Sequence, residues 1–387
     1  MNQTKDFRQL CDQFEVPVYP KRDLVLVRGE NAHLWDEDGR KFIDCIAGQG
    51  SANIGHSNPV VVKALAEQAA TLITCPGIFY NDKRSLLLEL LIEITPTNLT
   101  QAFLCNSGAE AVEAALKFAR LSTGRTEVVC AVKAFHGRTF GALSATFNPK
   151  YRDGFGPLVP GFSHVPFNKV EKLKEAVTEN TAAVMIEVVQ GEGGVNIGTE
   201  EFLQAARNIC SEKGALLIVD EIQTGFARTG EMFACQHFDL QPDLLCLAKS
   251  MAGGVPMGAV VCSSDVEVTM GKHGSTFGGN PLCCAAALAT INFIQEKELA
   301  KAAKEKGEYL RSLLDQIEST RIREIRNLGL MFGIELKEKS QPFIEALLDE
   351  DILALPAGPT VLRLLPPLTI EKSDLDKVGA AVKKVLE

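Results

Sequence analysis

Short apolar runs punctuate the middle of the chain: "QAFLCN", "EVVCAVKAF", "TAAVMIEVV", "GALLIVDEI", "LLCLAK" and "GAVVCS". They lack strict alternation, which predicts strands buried on both faces. Between several of them, apolar positions recur at helical spacing, over Ala109–Leu121, Val170–Glu179 and Glu200–Lys213. Buried strands separated by helices predict an α/β domain, with a mainly parallel central sheet between helical layers. In such sheets ligands gather at the carboxyl ends of the strands.

The pattern changes towards both ends. Before Ile43, "NAHLWDEDGRKFID" reads as a small β-meander turning at Asp38-Gly39. From about Pro281 one long helical stretch leads to "IREIRNLGLMFGIELKEK", which reads as strands of a separate α+β unit. There is no internal repeat and no low-complexity linker. The expected architecture is a large central domain flanked by smaller terminal parts.

Composition narrows the function. The chain has 387 residues and a net charge of −9, which argues against a general nucleic-acid or membrane-surface binder. Several of the 11 cysteines fall in apolar runs, including Cys105, Cys130 and Cys246, and no CxxC pair occurs. Buried free thiols in a reducing compartment are expected, rather than disulfides or a metal site. The N-terminus is polar, with no apolar core of a secretory signal, and no apolar run reaches membrane-spanning length. A cytoplasmic protein is expected.

The chemistry lies at the predicted strand ends. Lys249 closes an apolar strand and precedes a loop of small residues, "SMAGGVP". It could be an ordinary strand-end lysine or a desolvated nucleophile. In "FLCNSGAEAVEAALKFAR", Ser107 can cap a helix, with Glu110 completing a capping box. The same helix start suits a phosphate. "AFHGRTFGALSAT" gathers Phe135, His136 and Arg138 in a glycine-containing loop, offering a stacking ring and a carboxylate-binding fork. Asp220 and Glu221 end an all-apolar strand, where a carboxylate needs a cationic partner. Glu187, Gln190 and Glu192 in "MIEVVQGEGG" are placed similarly. "KHGSTFGGNPL" carries Ser275 and Thr276 in a glycine-rich loop, suited to a phosphate or to a plain turn.

These features converge on pyridoxal 5'-phosphate. That cofactor needs an anion site, a stacking ring, an acid facing its ring nitrogen and a lysine. The chain resembles the class III, fold-type I aminotransferases over nearly its whole length. The resemblance rests on "LWDEDGRKFIDC", "NIGHSNP", "NSGAEAVEAALKFAR", "FHGRTFGALSAT", "QGEGG", "VDEIQTGFARTG", "AKSMAGGVPMGA", "HGSTFGGNPL" and "RLLPPL". It is greatest to the acetylornithine and ornithine branch. "RGENAHLWDEDGRKFIDC" and "ALPAGPTVLRLLPPLTIEKSDL" also look like the subgroup acting on lysine or ornithine attached to a small amino-group carrier protein.

The resemblance implies a fold-type I transferase in which residues 1–45 and 281–387 form a small α+β domain and residues 46–280 the large cofactor-binding domain. It implies that Lys249 is the Schiff-base lysine, Asp220 the partner of the ring nitrogen and Gln223 the contact to the ring hydroxyl. Phe135 would stack on the ring, and Ser107, Gly108 and Ala109 would hold the phosphate. Thr276 would reach the phosphate in the neighbouring subunit of a homodimer with shared active sites. Arg138 and Ser275 would bind substrate, with Tyr19 on the substrate side. Arg363 would take the α-carboxylate of 2-oxoglutarate or glutamate, and Glu192 would neutralise it when the ω-amino donor is bound. The implied reaction moves the terminal amino group of an N-acylated ornithine or lysine to 2-oxoglutarate, within arginine or lysine biosynthesis. Acetylornithine aminotransferase is the leading expectation. Carrier-linked lysine or ornithine aminotransferase, ornithine aminotransferase and glutamate-semialdehyde aminomutase are the alternatives. The chain departs from its relatives at Gln49, where an aromatic or aliphatic residue is common, and in "EVVQ" and "AKSMAGG".

Overall fold

The computed structural model describes residues 6–387. Its centre is a seven-stranded sheet. The strands are β1 (Leu99–Cys105), β2 (Glu127–Ala131), β3 (Phe162–Val165), β4 (Thr181–Ile186), β5 (Leu216–Asp220), β6 (Leu244–Leu247) and β7 (Gly258–Ser263). They lie in the order β1-β7-β6-β5-β4-β2-β3. β7 is antiparallel to both its neighbours, and the other paired strands run parallel.

Every residue of β4, β5, β6 and β7 is buried. Alternate residues explain why. Ala183, Met185, Ile218, Leu244 and Cys246 join the cluster under helix Gly108–Thr123. Val184, Ile186, Leu217, Val219 and Leu245 join the cluster that contains Phe202, Leu203 and Ile209 of helix Glu200–Lys213. A strand covered on both sides has no polar face, so its sequence reads as one apolar run. β3 was not expected: "FSHV" carries Ser163 and His164, and it lies at the sheet edge where polar positions meet water. The helix expected over Val170–Glu179 ends at Ala176.

The meander before Ile43 forms as expected, over Leu26–Glu30, His33–Asp36 and Lys41–Asp44. Lys41–Asp44 also pairs in parallel with Ile352–Leu353, so both ends of the chain share one sheet. The long helical stretch after Pro281 is two helices, Pro281–Glu296 and Leu299–Leu314. They break at Glu298, whose backbone is left-handed with φ 48°. Ile322–Leu328 and Met331–Leu336 form a hairpin, and Val361–Leu364 adds to it antiparallel. Arg363 lies buried on that third strand. The 11 cysteines are free thiols, mostly buried. Among the described residues no helix is long and apolar enough to cross a membrane.

Candidate active site

A cavity of about 290 Å³ opens at the carboxyl ends of β5 and β6. Ser107, Gly108, Ala109, Phe135, Asp220 and Lys249 line it. Lys249 starts a short 3₁₀ turn after β6, with φ 39°. A lysine in that left-handed conformation costs about 1–3 kcal/mol and persists only where its surroundings enforce it. Ser250 helps to do so, since its hydroxyl donates to the Gly50 carbonyl at 2.6 Å. Burial lowers the Lys249 pKa, against the pull of Glu192 and Asp220.

Asp220 ends β5 beside Lys249 and is 5% exposed. Its Oδ1 accepts from the Ile222 N–H at 3.0 Å, and its Oδ2 lies 2.7 Å from His136 Nδ1. Burial opposes a charge on His136, yet the Asp220 bond and charge, with Glu187, raise its pKa above the ordinary value. His136 Nε2 is buried without a partner. Glu187 also lines the cavity and accepts from the N–H groups of Phe135 and Gly191. Burial pushes its pKa up to about 7.

Ser107 caps helix Gly108–Thr123, accepting from the Glu110 N–H at 3.2 Å. The expected reciprocal arm lands one residue earlier: Glu110 accepts from the N–H of Asn106, not of Ser107. The first helical amides, Gly108 and Ala109, face the cavity with no carbonyl inside the helix to pair with. A Cβ at Gly108 would lie 2.9 Å from the Ile222 side chain, so only glycine lets this turn come so close. Asn106 also donates to Ser275 Oγ at 3.1 Å, which brings the glycine-rich loop to the same helix start.

On the other side, Arg363 is 1% exposed and its Nη1 lies 2.5 Å from Glu192 Oε1. The same Nη1 donates to Gln223 Oε1 at 3.1 Å, and Nη2 donates to Gln49 Oε1 at 3.3 Å. Gln223 in turn donates to Glu192 at 3.4 Å. A Cβ on Gly191 would come within 2.0 Å of Gln223 Oε1, so a larger residue there would displace this amide from its present position. Burial opposes the Glu192 charge, but Arg363 and Lys249 hold its pKa below the ordinary carboxylate value. Phe135 meets Tyr151 edge-on at 5.4 Å, and the exposed Arg138 lies 4.5 Å over the Tyr151 ring.

The fold therefore gathers Ser107, Gly108, Ala109, Phe135, Asp220, Gln223, Glu192, Lys249 and Arg363 around one cavity, with Ser275 and Arg138 at its margins. It does not bring Tyr19 or Thr276 there. Tyr19 is 67% exposed and lines a separate N-terminal pocket, and Thr276 is exposed. The sequence singles out Glu187, as a carboxylate on the apolar run "VMIEVV", and His136 without giving either a role, and it offers no signal for Tyr151.

The donor set fits pyridoxal phosphate: unpaired helix amides, a ring, a held carboxylate and a desolvated lysine share one cavity. Fold and site together define a pyridoxal-phosphate-dependent aminotransferase. The family model for class-III aminotransferases matches residues 17–386, and the chain belongs to that family. It is 52% identical to LysW-aminoadipate semialdehyde transaminase of Deinococcus radiodurans, over 97% of this chain and 88% of that one. It is 45% identical to acetylornithine aminotransferase of Methanocaldococcus jannaschii, over 96% of each. Ornithine aminotransferase of Toxoplasma gondii, solved with partial occupancy of pyridoxal phosphate, superposes with a TM-score of 0.94 at 34% identity, covering 100% of this chain and 95% of that one.

Proposed function

We propose that the enzyme moves the terminal amino group of an N-acylated ornithine or lysine to 2-oxoglutarate, releasing the semialdehyde and glutamate. N-acetylornithine is the first-choice donor. The Glu192–Arg363 pair is the observation that carries this reading. An ω-amine donor brings uncharged methylenes next to the reacting centre, whereas a dicarboxylate brings a carboxylate. An unpaired buried arginine would oppose the donor. A glutamate that pairs with it and can withdraw lets one site serve both.

The geometry supports the following roles for the remaining residues. Gly108 and Ala109 would bind the cofactor phosphate through their N–H groups beside Ser107, Phe135 would stack on the ring, and Gln223 would meet the ring hydroxyl. The bound cofactor supplies the electron sink for the carbanion left when the substrate loses its C–H proton. Asp220, oriented by His136 and the Ile222 N–H, presents the negative charge that favours a protonated ring nitrogen. Lys249 Nζ would carry the proton from the substrate carbon to the cofactor carbon, the shift that leaves the amino group on the cofactor; its lowered pKa suits that exchange. Arg138 binds the distal carboxylate in both half-reactions, with Ser275 nearby.

A second copy of the chain would complete the site. Ile78, Phe79 and Tyr80, and Met270 and Phe277 around Thr276, are large apolar residues left exposed. A face of that kind suits a subunit interface. Thr276 would reach the neighbour's phosphate site across it, and the exposed Tyr19 would meet substrate there. Unpaired thiols agree with a reducing, cytoplasmic setting.

A donor linked to a small amino-group carrier protein is the second reading, favoured by the identity to the Deinococcus relative. Initial rates with 2-oxoglutarate and each of N-acetylornithine, free ornithine and carrier-linked lysine decide between them. A preference for free ornithine would reject the N-acylated donor.

A further inference from the structure

Arg363 keeps two neutral acceptors besides Glu192, and one of them comes from an unusual place. Gln49 sits at φ 62° in the short turn Ala47–Gly50, between Gly48 and Gly50, both also left-handed. A glutamine is seldom found there unless its surroundings dictate it. The turn is pinned from several sides. Asp44 Oδ1 accepts from the N–H groups of Ile46 at 2.7 Å and Ala47 at 3.0 Å, and Asp44 Oδ2 lies 2.6 Å from His56 Nε2. Ser51 Oγ donates to the Gly48 carbonyl at 2.7 Å, and Ser250, next to Lys249, donates to the Gly50 carbonyl. This rigid frame aims the Gln49 amide oxygen at Arg363 Nη2, at 3.3 Å. Arg363 Nε is buried without a partner, so the guanidinium has few holders to lose.

We propose that Gln49 is a positioning and specificity residue for the dicarboxylate half-reaction, holding Arg363 in its binding pose by a neutral bond when Glu192 withdraws. This rests on the two-state reading of Arg363 given above. With donor bound, Glu192 carries the pairing and Gln49 adds little. With a dicarboxylate bound, Glu192 is away, and Gln49 and Gln223 alone fix the fork that must meet the ligand carboxylate. The acceptor is an amide because a carboxylate at position 49 would neutralise Arg363 in both states. Bidentate recognition of a carboxylate depends on that fork being fixed.

Glycine adopts the left-handed backbone readily, so Gln49→Gly removes the side chain without disturbing the turn. Gln49→Glu keeps the reach and adds the charge. The measurement is equilibrium binding of glutarate, a dicarboxylate with no oxo group to react, to the pyridoxal-phosphate holoenzyme by calorimetry. Alongside it, single-turnover KM and kcat are measured for an N-acylated ornithine donor. Expected is about tenfold weaker glutarate binding for Gln49→Gly, a greater loss for Gln49→Glu, and a far smaller change in the donor half-reaction. Arg363→Ala serves as the control and should lose glutarate binding. Native-like glutarate binding in both Gln49 variants, with loss in Arg363→Ala, would overturn the role of Gln49 and leave the arginine reading intact. Equal losses in donor and glutarate binding for Gln49→Gly would also overturn it, showing a distorted turn. Retained glutarate binding in Arg363→Ala would overturn both.

Discussion

Glu192 Oε1 lies 2.5 Å from Arg363 Nη1, although the two residues are 171 positions apart, one in a turn and the other in the strand Val361–Leu364. The pair is formed with a guanidinium that is 1% exposed. Breaking a buried pair by deleting one partner leaves a costly uncompensated charge. Glu192→Ala should therefore weaken the ω-amine half-reaction, by about tenfold or more, and improve reaction with ordinary α-amino acids, whose carboxylate can fill the vacancy. Single-turnover rates with both donor types check this. A variant that keeps the native preference would show that Glu192 is not the withdrawing partner.

Lys249→Ala should abolish transamination, and the absorbance of the lysine-bound cofactor should vanish while the phosphate site still retains the cofactor. Absorbance spectra and turnover assays on the purified variant decide the matter. Near-native turnover would reject the assignment.

Asp220→Asn preserves size and the Ile222 N–H bond but removes the carboxylate that meets His136 and is proposed to face the ring nitrogen. In a dry site that charge is expected to be worth several kcal/mol in the barrier. A kcat/KM within about threefold of native, about 0.7 kcal/mol, would exclude the role.

The site was unevenly visible in the sequence. Lys249, Asp220 and the helix start at Ser107 stand at the ends of apolar strands, where a polar residue is conspicuous against its neighbours. The buried strands themselves were readable for the same reason. β3 was not, because an edge strand with Ser163 and His164 has no continuous apolar run. The Gln49–Arg363 bond was equally hidden: it joins residues 314 positions apart, through a left-handed glutamine that no local pattern announces. Tyr19 and Thr276 follow from family motifs alone, and a single chain gives them nothing at the cavity to touch.

Glu187 gives a pH-dependent signature. Burial raises its pKa from 4.5 to about 7 in the folded protein. The folded state thus binds this proton more tightly than the unfolded chain does. Its contribution to stability is full below pH 4.5 and is lost as pH rises through about 7. His136, also raised, adds a loss in the same direction. Denaturant unfolding of the cofactor-free protein from pH 5 to 8 should show Glu187→Gln escaping a loss on the order of 3 kcal/mol suffered by the native protein. Parallel stability curves for the two proteins would contradict the buried, proton-holding carboxylate.

Arg363 is proposed to serve one half-reaction and to be silenced by Glu192 in the other. Stopped-flow spectroscopy of the isolated half-reactions of Arg363→Ala tests it most directly. The predicted result is a fall of about 100-fold or more, about 3 kcal/mol, in kcat/KM for the 2-oxoglutarate half-reaction. The N-acylated ornithine half-reaction should stay within about threefold of native, about 0.7 kcal/mol. Equal losses in the two halves would contradict the account.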